Sequence, residues 1–255
     1  MKYFERKIFL LFWIQERFLN KLFVIRVLEL SILFSILTQC VPQIYKDSPG
    51  FIGLKDRSKT KTEYFPENAK YLGFKENFNP DLNQFRQFSN LESLEISSPE
   101  LKDLSQLGSL KTIQYLNLSG TSVENLMPIS ELSNLHSLIL NQTLVSDLSS
   151  ISKLKKITRL SLANTKIKNI EFCEYFPELR RLDIRNTLVE DLKPIMKSEK
   201  LIDLYIGGTK IQNLKPLYGL KDLVYLEVDS TSIAEKDVLD LRKVLPYLKV
   251  VQRGF

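Results

Sequence analysis

One phrase of the sequence returns every 22 residues, and this repeat limits the possible folds more than any other feature of the chain. Residues 113–126 read IQYLNLSGTSVENL, and residues 179–192 read LRRLDIRNTLVEDL. A fixed period of this length predicts a solenoid, in which successive turns of the chain lie against one another. When each copy is numbered from its first aliphatic residue, the copies begin at Leu91, Ile113, Leu135, Ile157, Leu179, Leu201, Leu223 and Leu245.

Two positions in each copy predict the core. Position 4 is leucine in all eight copies, and position 6 is leucine, isoleucine or valine. Side chains two residues apart on a strand lie on the same face, and one short strand cannot bury that face alone. We therefore expect the copies to stack as a parallel sheet over a shared core, with strands about 4.8 Å apart. A degenerate earlier copy begins at Ala69 and places Leu72 and Phe74 in the same register.

Two further positions describe the part of each copy that follows the strand. Position 9 is threonine in six copies, and position 13 is aspartate or asparagine in six copies, from Asp103 to Asn213. Aspartate and asparagine are good N-cap residues, so each copy should contain a short helical or 3-10 segment. Pro128, Pro194 and Pro216 fall within the first turn of these segments, where proline is tolerated. Ca²⁺ binding is a weaker interpretation of position 13, because half of its residues are neutral asparagine and helix capping accounts for all six.

Both ends of the repeat array depart from the pattern, as the ends of a solenoid must. After Thr231, four apolar residues at helical spacing predict a longer amphipathic helix, followed by a last short strand. At the other end, the phenylalanine-rich copy around Phe85 and Phe88, with the segment before it, should cover the first strand. An uncovered strand edge would invite pairing with another chain. The helical residues are Val238, Leu241, Val244 and Leu245.

The repeat resembles the LxxLxLxx(N/C)xL pattern of the leucine-rich repeat family, and especially the 22-residue class of internalin-like bacterial proteins. The resemblance covers residues 69–255. It implies an α/β right-handed solenoid with a parallel sheet on the concave side, short helical or 3-10 segments on the convex side and a C-terminal capping helix. The chain departs from the family at position 9, where asparagine is usual. We expect the threonine hydroxyls to form a ladder that replaces the asparagine ladder, because a hydroxyl both donates and accepts.

Positions 3, 5 and 7 should point away from the core onto the concave face, and they supply the candidate ligand-binding residues. Tyrosine and arginine are enriched at binding hot spots, so a protein ligand is the favoured interpretation. The alternative is a solvated face on which neighbouring Arg and Asp side chains satisfy each other. The candidates are Tyr115, Arg159, Arg181, Asp183, Arg185, Asp203, Tyr205, Tyr225, Glu227 and Asp229.

The sequence offers little support for catalysis, and we expect the protein not to be an enzyme. It has none of the common phosphate-loop, nucleophile-elbow or zinc-protease motifs. His136 is its single histidine and should lie at the surface, and Cys173 falls at a core position as an inert buried thiol. We therefore expect no metal site and no cofactor. The net charge of +6 includes +3 from residues 1–39, so the rest is only slightly basic, which argues against nucleic acid as a partner.

Residues 1–39 resemble a lipoprotein-type signal peptide that is cleaved before Cys40. The uncharged run from Leu30 to Tyr45 suits the apolar core of a secretory signal better than a membrane span, which needs about 20 apolar residues. It contains ILTQC, in which Leu37 takes the apolar position of a lipobox and Cys40 the lipidated position. Gln39 departs from the lipobox, which prefers a small residue there. Residues 40–68 then form a tether and the start of an N-terminal cap, and residues 69–255 form the repeat domain.

These features together predict an exported leucine-rich repeat protein, anchored in a bacterial envelope through a lipid on Cys40. It would bind a protein partner on its concave face, either at the surface, where the partner could belong to a host, or in the periplasm. One alternative is a structural scaffold within the envelope. A second is a regulatory adaptor that stays in the cytoplasm and binds an enzyme. The character of the first forty residues separates this last alternative from the other two.

Overall fold

The chain forms a small antiparallel hairpin followed by a long parallel sheet. The computed structural model of the protein describes residues 50–74 and 78–252. The hairpin joins β1 (Phe51–Lys55) to β2 (Thr62–Pro66). The nine parallel strands are β3 (Tyr71–Phe74), β4 (Ser93–Ile96), β5 (Tyr115–Asn117), β6 (Ser137–Ile139), β7 (Arg159–Ser161), β8 (Arg181–Asp183), β9 (Asp203–Tyr205), β10 (Tyr225–Glu227) and β11 (Lys249–Val251).

The parallel sheet follows chain order, and its register equals the repeat length over most of its span. From β3 to β10, each strand pairs with the next at an offset of 22 residues. Leu116 pairs with Leu138, and Leu138 pairs with Leu160. The prediction of stacked turns is therefore confirmed. Because the register is constant, each position of the repeat forms a continuous row across the sheet.

Positions 4 and 6 form the core beneath the sheet, as predicted. From Leu94 to Leu226, every position 4 side chain is at most 1% exposed, and from Ile96 to Val228 every position 6 side chain is fully buried. In the degenerate copy, Leu72 is also fully buried. Each turn covers the apolar face of the next, so the core is continuous along the solenoid and belongs to no single turn.

The chain turns sharply after each strand from β5 to β10, and position 8 takes a left-handed backbone conformation there. Glycine adopts this conformation without strain, and asparagine tolerates it better than most residues. This preference explains the polar and glycine residues at position 8. The φ angle lies between 53° and 74° at Gly120, Gln142, Asn164, Asn186, Gly208 and Ser230.

The position 9 threonines stabilise this turn, although not in the predicted way. Each hydroxyl donates to the position 6 carbonyl oxygen of its own turn, at 2.6–2.7 Å, so the bonds do not run between turns as a ladder would. The carbonyl lies three residues back in the chain and is brought close by the left-handed residue. The threonines are Thr121, Thr143, Thr165, Thr187, Thr209 and Thr231.

A short 3-10 helix follows each strand from β3 to β9, on the side of the solenoid away from the sheet. In six turns, the side chain at position 13 accepts a hydrogen bond from the backbone N–H two residues on, at 2.8–3.2 Å. The predicted N-cap role is wrong, because the cap residue of the 3-10 helix that follows lies one to three positions later and makes no side-chain cap bond. Position 13 therefore stabilises the turn just before the helix. The 3-10 helices are Leu82–Gln87, Leu107–Ser109, Met127–Ile129, Ser149–Ile151, Glu171–Tyr175, Lys193–Lys197 and Lys215–Gly219.

The C-terminal end carries the predicted helix and strand, but the predicted register of the last strand is wrong. Helix α1 (Glu235–Val244) buries Val238 and Leu241, while Val244 is exposed. Tyr225 then pairs with Lys249, an offset of 24 residues instead of 22. An α-helix rises about 1.5 Å per residue and a 3-10 helix about 2.0 Å, so a turn that contains α1 needs more residues to cover the same path.

The shift places different residues on the last strand of the sheet. A 22-residue interval from Tyr225 would place Tyr247 at position 3 and Leu248 at position 4. Lys249 and Val250 occupy these places instead, and Tyr247 is 91% exposed. The last concave residue at position 3 is therefore a lysine.

The N-terminal end is closed by the β1–β2 hairpin and by phenylalanines of the degenerate copy. Phe74 stacks on Phe78 and Phe85, with ring centroids 5.2 and 5.6 Å apart, and Phe65 of β2 meets the edge of Phe74 at 5.4 Å. Leu54 of β1 is fully buried in the same core. The cover over the first turn is confirmed, and its hairpin is a feature that the irregular sequence of residues 40–68 did not predict.

Several predictions fall outside the described residues. The signal peptide and the lipidated Cys40 both lie among residues 1–49. Within residues 50–74 and 78–252, no helix is long and apolar enough to cross a membrane.

Candidate binding surface

The side chains at positions 3 and 5 of each strand lie on the face of the sheet opposite the core, which is the face that the repeat pattern predicts to be concave. Most position 3 side chains are half-buried, and Tyr71, Arg159 and Lys249 are exposed. Position 5 is more covered than alternation alone predicts, because Asp183 and Glu227 are each only 7% exposed. Neighbouring side chains and turns on the concave face supply this cover.

Two ion pairs organise the middle of the concave face. Arg181 of β8 reaches across to Asp203 of β9, where Nε and Nη2 donate to one carboxylate oxygen at 2.8 and 2.6 Å. Arg185 folds back onto Asp183 of its own turn, with Nε–Oδ1 and Nη2–Oδ2 distances of 2.9 and 2.6 Å. The hydrogen bonds to these carboxylates raise the pKa of both guanidinium groups, so the two arginines remain charged.

Two tyrosines complete this group. The rings of Tyr205 and Tyr225 lie 5.2 Å apart between centroids, at an interplanar angle of 39°. The guanidinium carbons of Arg181 and Arg185 lie 5.7 and 5.3 Å from the Tyr205 ring centroid, within the range of cation–π attraction. We call Arg181, Asp183, Arg185, Asp203, Tyr205 and Tyr225 the tyrosine–arginine cluster.

Glu227 lies beside the cluster and holds the backbone of two turns. Its carboxylate accepts hydrogen bonds from the Gly207 N–H at 3.1 Å and from the Asp229 N–H at 3.2 Å. Gly207 lacks a side chain for a steric reason, because a Cβ there would lie 2.5 Å from Oε1 of Glu227 and 2.9 Å from the Asp229 carbonyl oxygen. The carboxylate therefore has a structural role in this fold.

The buried position of Glu227 predicts a pH dependence of stability. Burial raises the pKa of Glu227 above its usual value of 4.5. The folded protein then binds this proton more tightly than the unfolded chain does, so the free energy of unfolding falls as pH rises from about 4.5 through the folded-state pKa. Glutamine does not titrate, but it loses one of the two backbone acceptors, so we expect the stability of Glu227→Gln relative to the wild type to be higher at pH 7 than at pH 4. Urea unfolding at both pH values measures this, and a relative stability of the variant that is lower at pH 7 than at pH 4 would contradict it.

The ten candidate residues do not form one site. Six of them make up the tyrosine–arginine cluster, and Glu227 and Asp229 adjoin it in the same turn as Tyr225. Arg159 lies on β7, beside Arg181 in the register, and is exposed. Tyr115 lies on β5, between Ser93 and Ser137 in the register and away from the cluster.

One part of the concave face was missed by the sequence analysis. Tyr71 in the degenerate copy lies 3.3 Å from Glu95 through its hydroxyl, which donates to Oε2, and Asn117 donates to Oε1 of the same carboxylate at 2.9 Å. Tyr71 occupies position 3 of the copy that begins at Ala69, so the signal was present in the register. This polar network lies on the first three turns, remote from the cluster.

The groups that could carry chemistry take structural or surface places. Cys173 is buried, and burial raises the pKa of its thiol to about 12. His136 is exposed, with Nδ1 2.6 Å from the Asn134 carbonyl oxygen. Among residues 50–74 and 78–252, no group of three or more His, Cys, Asp and Glu side chains is placed to hold a metal ion.

Comparison with known proteins supports the assignment of the repeat. Residues 155–195 match the family model described as leucine-rich repeats in two copies. The solved structure of internalin C2 from Listeria monocytogenes is similar, with a TM-score of 0.61 and 28% identity, over 66% of this chain and 74% of that one. No curated protein sequence gives a significant match.

Two further structures show the same fold at lower identity. Internalin F of Listeria monocytogenes has a TM-score of 0.61 and 19% identity, over 69% of this chain and 51% of that one. A leucine-rich repeat protein of Leptospira interrogans has a TM-score of 0.57 and 23% identity, over 66% and 50% of the two chains. The matched region thus spans about half the length of each of these two proteins. The repeat, the register and the similar structures agree on a leucine-rich repeat solenoid with 22-residue repeats, and the family-model match and internalin C2 support a relation to the internalin-like bacterial proteins.

Proposed function

We propose that this protein is exported, anchored to a bacterial envelope by a lipid on Cys40, and binds a protein partner at the cell surface through its concave face. The observation that carries the proposal is the tyrosine–arginine cluster. Solenoids of stacked repeats present extended concave surfaces that commonly bind proteins. A host protein is the partner class that a surface location favours.

The cluster is suited to binding because its side chains are already fixed in place. Tyrosine and arginine are enriched among residues that dominate binding energy. Ordering a long side chain at an interface costs roughly 0.5–1.5 kcal/mol, and the ion pairs of Arg181 and Arg185 reduce that cost before a partner arrives. The two ion pairs alone would satisfy a solvated face, but the paired rings of Tyr205 and Tyr225 add an apolar surface that solvation does not require.

The first test concerns the concave face. Full-length protein in mild detergent is used to capture partners from extracellular-matrix and serum proteins. We expect the triple variant Arg181→Ala, Tyr205→Ala and Tyr225→Ala to lose at least tenfold in capture, because hot-spot residues each contribute about 2 kcal/mol or more.

A matched control removes the same residue types elsewhere. Arg180→Ala with Tyr247→Ala alters an exposed arginine and a tyrosine that is 91% exposed, both outside the cluster. We expect this double variant to capture as much as the wild type. If the triple variant captures as much as the wild type, the concave face is not the binding surface.

The second test concerns the anchor, which is supported by the apolar run before Cys40 and by the lipobox resemblance of ILTQC. Cells grown with labelled palmitate should label the wild-type protein. We expect Cys40→Ser to abolish the label and Cys173→Ser to retain it, because Cys173 lies in the core. Label that persists in Cys40→Ser would rule out the anchor. Protease added to intact cells then tests whether the protein faces outward, since only a surface protein is cleaved.

A further inference from the structure

Glu95 is a half-buried carboxylate on the first three parallel strands, and its hydrogen-bond donors there are neutral. It accepts from the Tyr71 hydroxyl at 3.3 Å and from the Asn117 side-chain amide at 2.9 Å. On β3, β4 and β5, the other described residues at positions 3, 5 and 7 are tyrosine, serine, asparagine and glycine. No positive side chain among them compensates the charge of Glu95, which is therefore available to a ligand.

The carboxylate is held in place before any ligand arrives. The Asn117 Oδ1 atom accepts hydrogen bonds from the Ser119 N–H at 3.0 Å and from its hydroxyl at 2.7 Å, so the amide is fixed with its N–H group toward Glu95. Each carboxylate oxygen can accept more than one hydrogen bond. A cation that binds Glu95 thus meets a group whose ordering is already complete.

An exposed aromatic ring lies next to this carboxylate. Tyr71 is 56% exposed, and a Cβ at Gly73 would lie 2.8 Å from its Cζ atom and closer still to its hydroxyl oxygen. The glycine therefore leaves space for the ring across its own strand, with the hydroxyl at Glu95. Burial, and then the charge of Glu95, raise the pKa of Tyr71, so the hydroxyl keeps its proton and donates it to the hydrogen bond.

The tyrosine–arginine cluster shows which group fits between a tyrosine and a carboxylate on this sheet. Arg181 bonds to Asp203 at 2.8 and 2.6 Å while its guanidinium carbon lies 5.7 Å from the Tyr205 centroid. The first three strands supply a tyrosine and a carboxylate, and their described concave residues include no arginine. A planar guanidinium stacks on an aromatic ring and donates to a carboxylate as a fork, whereas an ammonium group is a compact point charge.

We infer that Tyr71 and Glu95 form a second contact site on the concave face, which binds an arginine side chain of the partner. The inference rests on the proposed function, because it assigns the partner's chemistry at a place that the cluster does not reach. β4 and β9 are five strands apart, so roughly 24 Å separates the two places. At physiological ionic strength the Debye length is about 8 Å, so the charges of one place are screened from the other.

A titration with N-acetylarginine amide tests the site directly. Full-length protein in mild detergent carries ¹³C-labelled tyrosine rings, and Tyr71→Phe and Tyr205→Phe identify the two ring signals. We expect the Tyr71 signal to shift until it saturates at millimolar probe. The Tyr205 signal should stay in place, because two guanidinium groups already lie against that ring.

The uncharged analogue N-acetylcitrulline amide is the control for charge. It has nearly the shape of the arginine probe and should bind about fivefold more weakly, because it makes neither the ion pair nor the cation–π contact. An unmoved Tyr71 signal, or equal binding of the two probes, would overturn the inference.

Two carboxylates close together in the chain give a matched pair of variants. Glu95→Gln keeps the length of the side chain and removes its charge, and we expect it to weaken binding of the arginine probe about fivefold. Glu92 lies at position 2 of the same copy and is already paired with Lys70 at 2.8 Å, so Glu92→Gln should change binding less than about twofold. Equal effects of the two variants would show that the probe responds to general charge, and would overturn the site.

Lys75 follows β3 in the sequence and lies outside the described residues, so a further variant tests its influence. If Lys75 neutralised Glu95, Lys75→Ala would free the carboxylate and strengthen binding of the probe. We expect binding to change less than about twofold, as for an exposed charge away from the site. Strengthened binding would overturn the claim that Glu95 is open to a partner.

The outcomes separate this inference from the proposed function. An arginine probe that does not bind would refute the second site and leave the cluster, which the triple variant tests, as the binding surface. A natural partner captured equally by Glu95→Gln and Glu92→Gln would refute the role of the partner's arginine. A natural partner that the triple variant captures as well as the wild type would refute the proposed function, while a shifted Tyr71 signal would still support the arginine site.

Discussion

Leu182→Ala is expected to lower the free energy of unfolding by about 2–5 kcal/mol, the range for a buried leucine whose removal leaves a cavity. Leu182 is fully buried at position 4 of β8, and its neighbours Leu160 and Leu204 lie in the same row. The loss is felt by three turns, because each turn of a solenoid is stabilised by the turns beside it. Urea unfolding followed by circular dichroism measures the change.

The same copy of the repeat supplies a matched control. Leu188 lies six residues further along and is 47% exposed. We expect Leu188→Ala to change the free energy of unfolding by less than about 0.5 kcal/mol, as is usual for surface substitutions. Similar losses of stability in the two variants would show that Leu182 is no more buried than Leu188, and would contradict the stacked core.

Phe85→Ala is expected to cost about 3–5 kcal/mol, although the residue belongs to the copy that matches the repeat least well. Phe85 is fully buried, and its ring stacks on Phe74 with centroids 5.6 Å apart. Its loss opens a cavity beneath the β1–β2 hairpin, which packs on the same phenylalanines through Phe65. The N-terminal cover should loosen first, because it has a neighbouring turn on one side only.

Hydrogen exchange locates this effect, and urea unfolding gives its size. We expect faster exchange in β1, β2 and β3 of Phe85→Ala and little change in β9 and β10. Phe85→Leu keeps a large apolar side chain and should lose less than half as much stability. A cost below about 1 kcal/mol for Phe85→Ala, with unchanged exchange near the hairpin, would show that the degenerate copy is not part of the core.

The sequence predicted the sheet because its signal is local and repeated. Each strand needs only the spacing of positions 4 and 6, and the constant 22-residue interval sets the register of Leu116, Leu138 and Leu160 without knowledge of distant contacts. The backbone hydrogen bond of position 13 was predictable in kind, because aspartate and asparagine side chains bond to nearby backbone N–H groups. The start of the 3-10 helix was not, because the cap residue lies one to three positions later than predicted.

The ends were harder to predict because they break the period. Helix α1 replaces a 3-10 segment, so the interval before β11 grows and Lys249, not Tyr247, lies beside Tyr225. The β1–β2 hairpin has no repeat to reveal it, and its strands contain Gly53 and Pro66 among charged residues. Both features depend on how the chain covers an exposed core, which no single stretch of sequence specifies.

The cluster was predicted as a set of positions and not as a set of contacts. Alternation along a strand determines the face on which a side chain begins, so Arg181 and Arg185 were correctly placed on the same side as Tyr205. It does not determine where a long side chain ends. Arg181 bonds across to the next strand and Arg185 bonds within its own turn, a difference that depends on the carboxylates within reach.

The fold by itself does not specify a partner, because one fold supports many functions through different surface residues. The concave face of this chain combines the two ion pairs and two tyrosines of the cluster with the exposed Arg159 and Lys249 on other strands. The buried leucines beneath these residues serve the fold. The proposed function therefore depends on the surface rows and fails if the rows are not in register.

The most direct test of that register is a methyl nuclear Overhauser experiment on protein labelled at leucine methyl groups. The stacked solenoid predicts contacts from Leu138 to Leu116 and to Leu160, the residues with which it pairs in adjacent strands, and none to Leu182, which lies two strands away. An equivalent ladder should continue along position 4 to Leu226. Absence of contacts between leucines in adjacent turns, or contacts between Leu138 and Leu182, would contradict the account.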